Sequence, residues 1–522
     1  MAETVPNRFN LVDEKWIPVA NEGLVSLADI FSNQRYSALG GNPIQKIALT
    51  KLLLAIAQSA ITPSDDEEWK KLGARGIAEK SLNYLLNKRD CFWLYGERPF
   101  LQMPAIKGVI TARLNAELKT SKKGAKTQEI IDRAAPFSIG PAYIPDLPSE
   151  NNTILTQAQY YSIATDAEKA VFLVTLMNFA LGGKRVMKGL PAFSQDCGTK
   201  TDSAKAGPSI GNHWGYLHSF LQGNDLMESI WLNLFTLEYI RKNAQWTTGL
   251  GTPPWERMPV GETCPTANAL KKSYMGCLVG LSRFVLFEGT GIFYLEGIQY
   301  PSHKNGWREP SISVLEEAGG AKILWVDPNK RPWRSLTSML SFLTGTLTRG
   351  FDCHQVRIGL SRARYCGVDK IGLWSGGLKV RANRGDQSAK GDDDFVESEF
   401  SFEANWLGEN WFLKLKTEMA IIEEFSKTVY GRTRGYFAQQ HAEWKNQAAQ
   451  AGNLFWQLAE QHFQDLINAC GKDSSEAMRP LFAEAALKAY DAYCPRETAR
   501  QLDAWASSRP QLGKYFHSKS NS

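Results

Sequence analysis

Apolar residues along this chain fall into two kinds of run. In PIQKIALTKLLLAIAQSA, Ile44, Ile47, Ala48, Leu52, Ile56 and Ala57 recur at helical spacing, and Asn42-Pro43 supplies a start signal. Two further apolar helical segments are expected around 167–181 and 224–241. By contrast RFVLFE, IFYLEGIQY and AKILWVD are short, β-branched and aromatic, and they predict a small mixed sheet. The first forty residues read as extended, with Phe9, Leu11, Trp16, Ile17 and Val19 set among turn formers.

The texture changes near residue 404. Trp411, Leu415, Met419, Ile422 and Phe425 mark one helical face, and Leu454, Leu458, Leu466, Ile467 and Cys470 mark another. Segments 474–493 and 496–508 add two more, with Pro480 expected to kink or end a turn in the third. Four amphipathic helices with short connections predict a four-helix bundle. The fold class is therefore α+β: a large mixed N-terminal domain over 1–403, with small sheets and helices, then a C-terminal bundle over 404–522. Two stretches break the pattern. APFSIGPAYIPDLPSENN carries prolines at 136, 141, 145 and 148 and reads as a rigid loop. Residues 181–215 are rich in Gly, Lys and Ser without apolar periodicity, the mark of a functional or disordered loop.

Length and composition narrow the class. A chain of 522 residues exceeds one simple core, and 43% apolar residues with sixteen tryptophans indicate packed globular structure. The net charge of +6 is mild, so a nucleic-acid surface must come from local clustering. The eight cysteines include no C-x-x-C pair, which removes zinc-ribbon readings, and Cys353-His354 reads as structural. A reduced, cytoplasmic chain is expected: the first residues lack a signal-peptide pattern, and the apolar stretch 170–181 is too short to span a bilayer. No phosphate-cradling G-x-x-x-x-G-K-[ST] occurs, and consecutive Asp392, Asp393 and Asp394 splay too far apart to share one ion. No catalytic residue, metal or cofactor is expected.

Positive charge does gather locally. Between Arg349 and Arg384 lie eight basic residues against Asp352 and Asp369. If Arg362-Ala-Arg364 and Lys379-Val-Arg381 are strands, each pair projects from one face and suits a phosphate backbone; a solvated charged face is the alternative. Beyond them runs WSGGLKVRANRGDQSAKGDDDF, residues 374–395, a polar excursion with one glutamine among glycines and basic residues.

RFNLVDEKWIPV at 8–19, ERPFLQ at 97–102 and this Gly-Gly segment, in that order, resemble the CasA family, the large subunit of the type I-E CRISPR surveillance complex Cascade. The resemblance implies a non-catalytic DNA reader in antiviral defence. Such a subunit recognises a protospacer-adjacent motif in double-stranded DNA through the minor groove and inserts a glutamine wedge to start unwinding and R-loop formation. It then offers a docking surface to a recruited helicase-nuclease. The implied partners are target duplex, crRNA, the other Cascade subunits and that helicase-nuclease, with no membrane. By position Gln387 is the wedge, between Asp386 and Ser388 on glycine-hinged strands, and Lys379, Arg381, Arg384 and Lys390 flank it. The DNA-facing glycine loop falls at Gly182, Gly183 and Lys184, and the loop contacting crRNA and neighbouring subunits at Tyr143 and Ile144. Gly291 occupies the place of the family's motif-sensing lysine, leaving Lys271, Lys272 and Arg283 as cationic alternatives. The competing reading is a structural scaffold that holds crRNA and partner subunits without reading the motif.

Overall fold

The Asn42-Pro43 signal is realised as the helix Pro43–Ala60. The Asn42 side chain accepts from the Gln45 backbone at 3.0 Å, Gln45 accepts from the Asn42 backbone at 3.2 Å, and Pro43 fills a position needing no donor. Leu49, Leu53, Leu54 and Ala55 are buried along with the six residues that set the period. An element apolar nearly all round belongs in a core, and this one packs against Asp66–Asn87 and Asp166–Phe179.

The computed structural model describes residues 6–33, 35–120, 128, 131–132, 135–139, 163, 165–179, 215–301, 306–317, 320–344, 350–383, 386–388 and 394–516. For 113, 117, 120, 381–383 and 386–388 it describes the backbone alone. The chain forms two units: 1–328 with 353–366 and 374–397, and 329–352 with 367–373 and 398–522. The second unit thus draws on two segments that precede residue 404.

In the first unit the opening residues form strands Arg8–Asn10, Ile17–Val19 and Gly23–Val25, as their extended pattern predicts. They are followed by a helix, Leu27–Ser32, that the pattern did not predict. Its signal is a capping box, in which the Asp29 N–H donates to the Ser26 hydroxyl oxygen and the Ser26 N–H donates to the Asp29 carboxylate, both at 3.0 Å. Strands Arg283–Glu288 and Gly291–Glu296 pair antiparallel, and Phe137–Ser138 pairs antiparallel along the other side of the second. This sheet is antiparallel where a mixed one was expected, because a turn at Gly289 (φ +57°) joins consecutive strands directly. Gly320–Ile323 joins Val314–Glu317 in a separate ladder. The strand Lys370–Leu378, whose first four residues belong to the second unit's range, pairs with His218–Gln222 on one side and Phe395–Glu403 on the other.

In the second unit, five helices follow residue 404 among the described residues: Glu409–Gln439, Lys445–Glu460, Phe463–Gly471, Arg479–Tyr493 and Ala499–Ser508. The apolar face read over 454–470 is thus carried by two helices, parted at Gln461 and His462. Pro480 does not kink a helix. It lies in the first turn of Arg479–Tyr493, after the 3₁₀ turn Ser475–Met478, where a missing N–H costs nothing. Within this unit Glu418 is buried and takes a fork from Arg479 at 2.8 and 2.9 Å.

Candidate nucleic-acid interface

The polar excursion starts from a buried sheet. Ser375 and Ser219 share a hydrogen bond of 2.8 Å between adjacent strands, and both are buried. Trp374 donates to Glu397 at 3.1 Å, and Lys46 pairs with the same carboxylate at 2.8 Å. Further back, Lys51 and Glu309 form an ion pair of 3.1 Å with each side chain 2% exposed. Glu309 accepts from Ser311 at 2.9 Å, and Ser311 meets His218 Nδ1 at 2.8 Å. A chain of polar contacts therefore ties the core helix Pro43–Ala60 to the strand His218–Gln222 beside the excursion's base.

The paired glycines at that base do not act as a hinge. A Cβ on Gly376 would sit 2.7 Å from the Trp374 ring and 2.9 Å from the Val396 carbonyl. On Gly377 it would sit 2.7 Å from Val326 and 2.8 Å from the Tyr216 carbonyl. Both belong to the strand Lys370–Leu378 and are buried, so their role is close packing that fixes where the excursion leaves the sheet. The chain exits at Lys379, whose N–H donates to the Asp394 carbonyl at 3.2 Å.

Beyond this point Arg381–Asn383 and Asp386–Ser388 form a two-stranded antiparallel ladder with register Arg381↔Ser388, Ala382↔Gln387 and Asn383↔Asp386. Gln387 therefore stands on a strand opposite Ala382, one pair back from the connection. Asp386, Gln387 and Ser388 are consecutive on that strand, and Arg381 is on its partner. Lys379 is half-buried at the base. Arg384, Lys390, Gly182, Gly183, Lys184, Tyr143 and Ile144 lie outside the described residues.

The basic run upstream behaves differently from the strand reading. Arg362 and Arg364 lie on a helix, His354–Tyr365, rather than a strand, and two residues apart on a helix do not share a face. Arg364 is exposed, whereas Arg362 is buried. Its guanidinium donates to Asp66 at 2.7 Å and to the Leu234 carbonyl, and it lies 5.2 Å from the Trp69 ring. Burial lowers its pKa and Asp66 opposes that shift, so Arg362 is an internal cation rather than a phosphate contact. Cys353 and His354 are structural: the buried thiol meets the Pro310 carbonyl at 3.4 Å, and His354 Nδ1 meets the Tyr239 hydroxyl at 3.0 Å.

Of the cations considered for motif sensing, Arg283 is fully buried with its guanidinium 4.7 Å from the Tyr294 ring, and Lys271 is ion-paired to buried Glu262. Lys272 is exposed. Position 291 has no room for a side chain, since a Cβ there would lie 2.8 Å from the Phe137 carbonyl. Among the described residues no group of three or more His, Cys, Asp or Glu could hold a metal ion, and no helix is long and apolar enough to cross a membrane.

The family model for CRISPR-associated protein Cse1 matches residues 10–500. The protein described as CRISPR-associated protein CasA/Cse1 from Thermus thermophilus is 25% identical over 359 residues, covering 64% of this chain and 60% of its own length. The fold matches that of solved structures. Thermus thermophilus CasA (Cse1) superposes with a TM-score of 0.65 at 18% identity, covering 97% of this chain and 100% of its own. Thermobifida fusca Cse1 gives 0.67 at 17%, over 97% and 96% of the two chains. A chain of a CRISPR RNA-guided surveillance complex gives 0.64 at 13%, over 98% and 100%.

Proposed function

The chain belongs to the CRISPR-associated protein Cse1 family, and from that membership we propose that it is the non-catalytic, DNA-reading large subunit of a type I-E Cascade complex. The observation that carries the reading is the short ladder 381–388, which sets Gln387 on a strand leaving a tightly packed sheet. An uncharged amide can replace base-edge hydrogen bonds while its stem occupies the stack. Prying apart one base step costs about a few kcal/mol, which phosphate contacts nearby must offset. In this reading Lys379 and Arg381 supply them, and exposed Lys272 is the candidate for sensing the motif.

In this reading guide RNA pairing supplies most of the sequence specificity, while the protein reads the short flanking motif, a division of labour shared with Cas9-type effectors. The likeness to a chain of an RNA-guided surveillance complex supports crRNA and neighbouring subunits as partners. Docking of a helicase-nuclease and a cytoplasmic location complete the proposal. The decisive test is Gln387→Ala in the reconstituted complex, with duplex opening followed by a fluorescent base analogue beside the motif. Loss of opening with assembly intact is expected; unchanged opening favours the scaffold reading. Selection from a library of randomised flanks identifies the motif, and the purified chain with Mg²⁺ or Mn²⁺ is expected to leave labelled DNA uncut.

A further inference from the structure

Among the exposed large hydrophobic side chains of the described residues is Trp325, 55% exposed. Its position is fixed from several sides. The Val326 N–H donates to the Gly215 carbonyl at 2.7 Å, and the Leu217 N–H donates to the Leu324 carbonyl at 3.0 Å. Buried Tyr216 meets the indole edge-on, with centroids 4.5 Å apart. Gly215 has φ +81°, a conformation that favours glycine, and its missing side chain is what brings the parts together. A Cβ there would lie 3.3 Å from the indole and 3.6 Å from the backbone nitrogen of Val380. The exposed ring therefore stands at the foot of the arm that carries Gln387. Val380 precedes Ala382, the partner of Gln387, by two residues, or about 7 Å along a strand.

We propose that Trp325 is a stacking platform for one nucleobase of the DNA strand released at the hairpin. A flat, propped, half-exposed indole matches the π-face that every base presents, so such a platform holds single-stranded DNA without reading its sequence. Asp327 follows the ring by two residues in the chain, and its acidic side chain favours a base over a phosphate as the group bound at the ring itself. The ring's fixed position means little freedom is lost on stacking. The platform would hold the opened strand back from re-pairing after the wedge enters. This inference rests on the duplex-opening reading.

The test uses the reconstituted complex with its crRNA and a target duplex bearing the selected motif. 2-Aminopurine is placed singly at successive positions beside the motif, on each strand in turn. With the parent protein, one position in the opened strand is expected to stay quenched while its neighbours brighten. Trp325→Ala should brighten that position and speed re-pairing about tenfold, and Trp325→Phe should restore both. If Trp325→Ala changes no position while Gln387→Ala abolishes opening, the platform is refuted and the wedge stands. If Gln387→Ala leaves opening intact, the wedge fails, and the opened duplex still tests the platform at the same position. Loss of the Trp325→Ala subunit from the complex, with unchanged signals in the assembled fraction, would assign the ring to a protein neighbour and overturn the proposal.

Discussion

Replacing Arg362 separates an internal cation from a DNA contact. In Arg362→Ala the Leu234 carbonyl loses its donor inside the fold, at about 1–3 kcal/mol for an unsatisfied buried acceptor. The contact with Trp69 adds about 0.5–2 kcal/mol, given a ring 5.2 Å away and a desolvated guanidinium. The Asp66 pair adds little, because that carboxylate is 48% exposed and rehydrates. The expected total is about 1.5–5 kcal/mol, the sum of these contributions and within the range for breaking a buried polar network. Arg362→Lys should recover only part of it, since an ammonium cannot reproduce the fork to two acceptors. Exposed Arg364→Ala should change stability by no more than about 0.5 kcal/mol. Urea unfolding of the three variants gives the stabilities, and DNA binding by the assembled complex across a salt series gives the electrostatic term. Arg362→Ala should destabilise the protein while leaving the salt slope of the assembled fraction unchanged. A variant of native stability whose slope flattens by about one unit would mean that Arg362 reaches a phosphate and that the buried placement is wrong.

Other consequences can be checked in the same preparations. Lys51→Met strands the Glu309 charge and should cost about 3–5 kcal/mol, whereas Lys51→Met with Glu309→Leu should recover much of that loss; additive losses in a double-mutant cycle would refute coupling. Arg381→Ala should flatten the salt slope of DNA binding by about one unit without altering motif preference, and a change confined to preference would mean base reading instead. Among the seven described cysteines, Cys264 should be alkylated first. Burial raises its pKa, but N–H groups of Ala267, Val260, Gly261 and Thr266 outweigh it and leave the thiol below its ordinary value. Its thiolate therefore forms at lower pH than a free thiol's, while burial pushes Cys470 up to about 12 and protects it. Mass-mapped labelling in which Cys470 reacts as fast as Cys264 at neutral pH would contradict this.

The division between readable and unreadable features follows the range of the forces. Helix periodicity and the Asn42-Pro43 start could be read because spacing and capping act within a few residues. The Ser26–Asp29 capping box was equally local and marked a helix within a segment whose apolar pattern looked extended. The order of the opening, ERPFLQ and glutamine-bearing segments sufficed to suggest the family, since linear order needs no folded contact. Burial could not be read in this way. Arg362 is internal because Asp66 and Leu234, 296 and 128 residues away, close around it. Gly376 and Gly377 fill tight contacts that only assembly of the sheet creates, and Gly291 has Phe137 across a strand pair where a lysine would need room. Trp325 looked like one more apolar residue in AKILWVD, yet its ring remains open beside Val380 because Gly215 brings two distant segments together. Local chemistry fixes which elements form, while the side chains left facing solvent depend on which distant surfaces meet, since burial is a property of the pair and not of either residue.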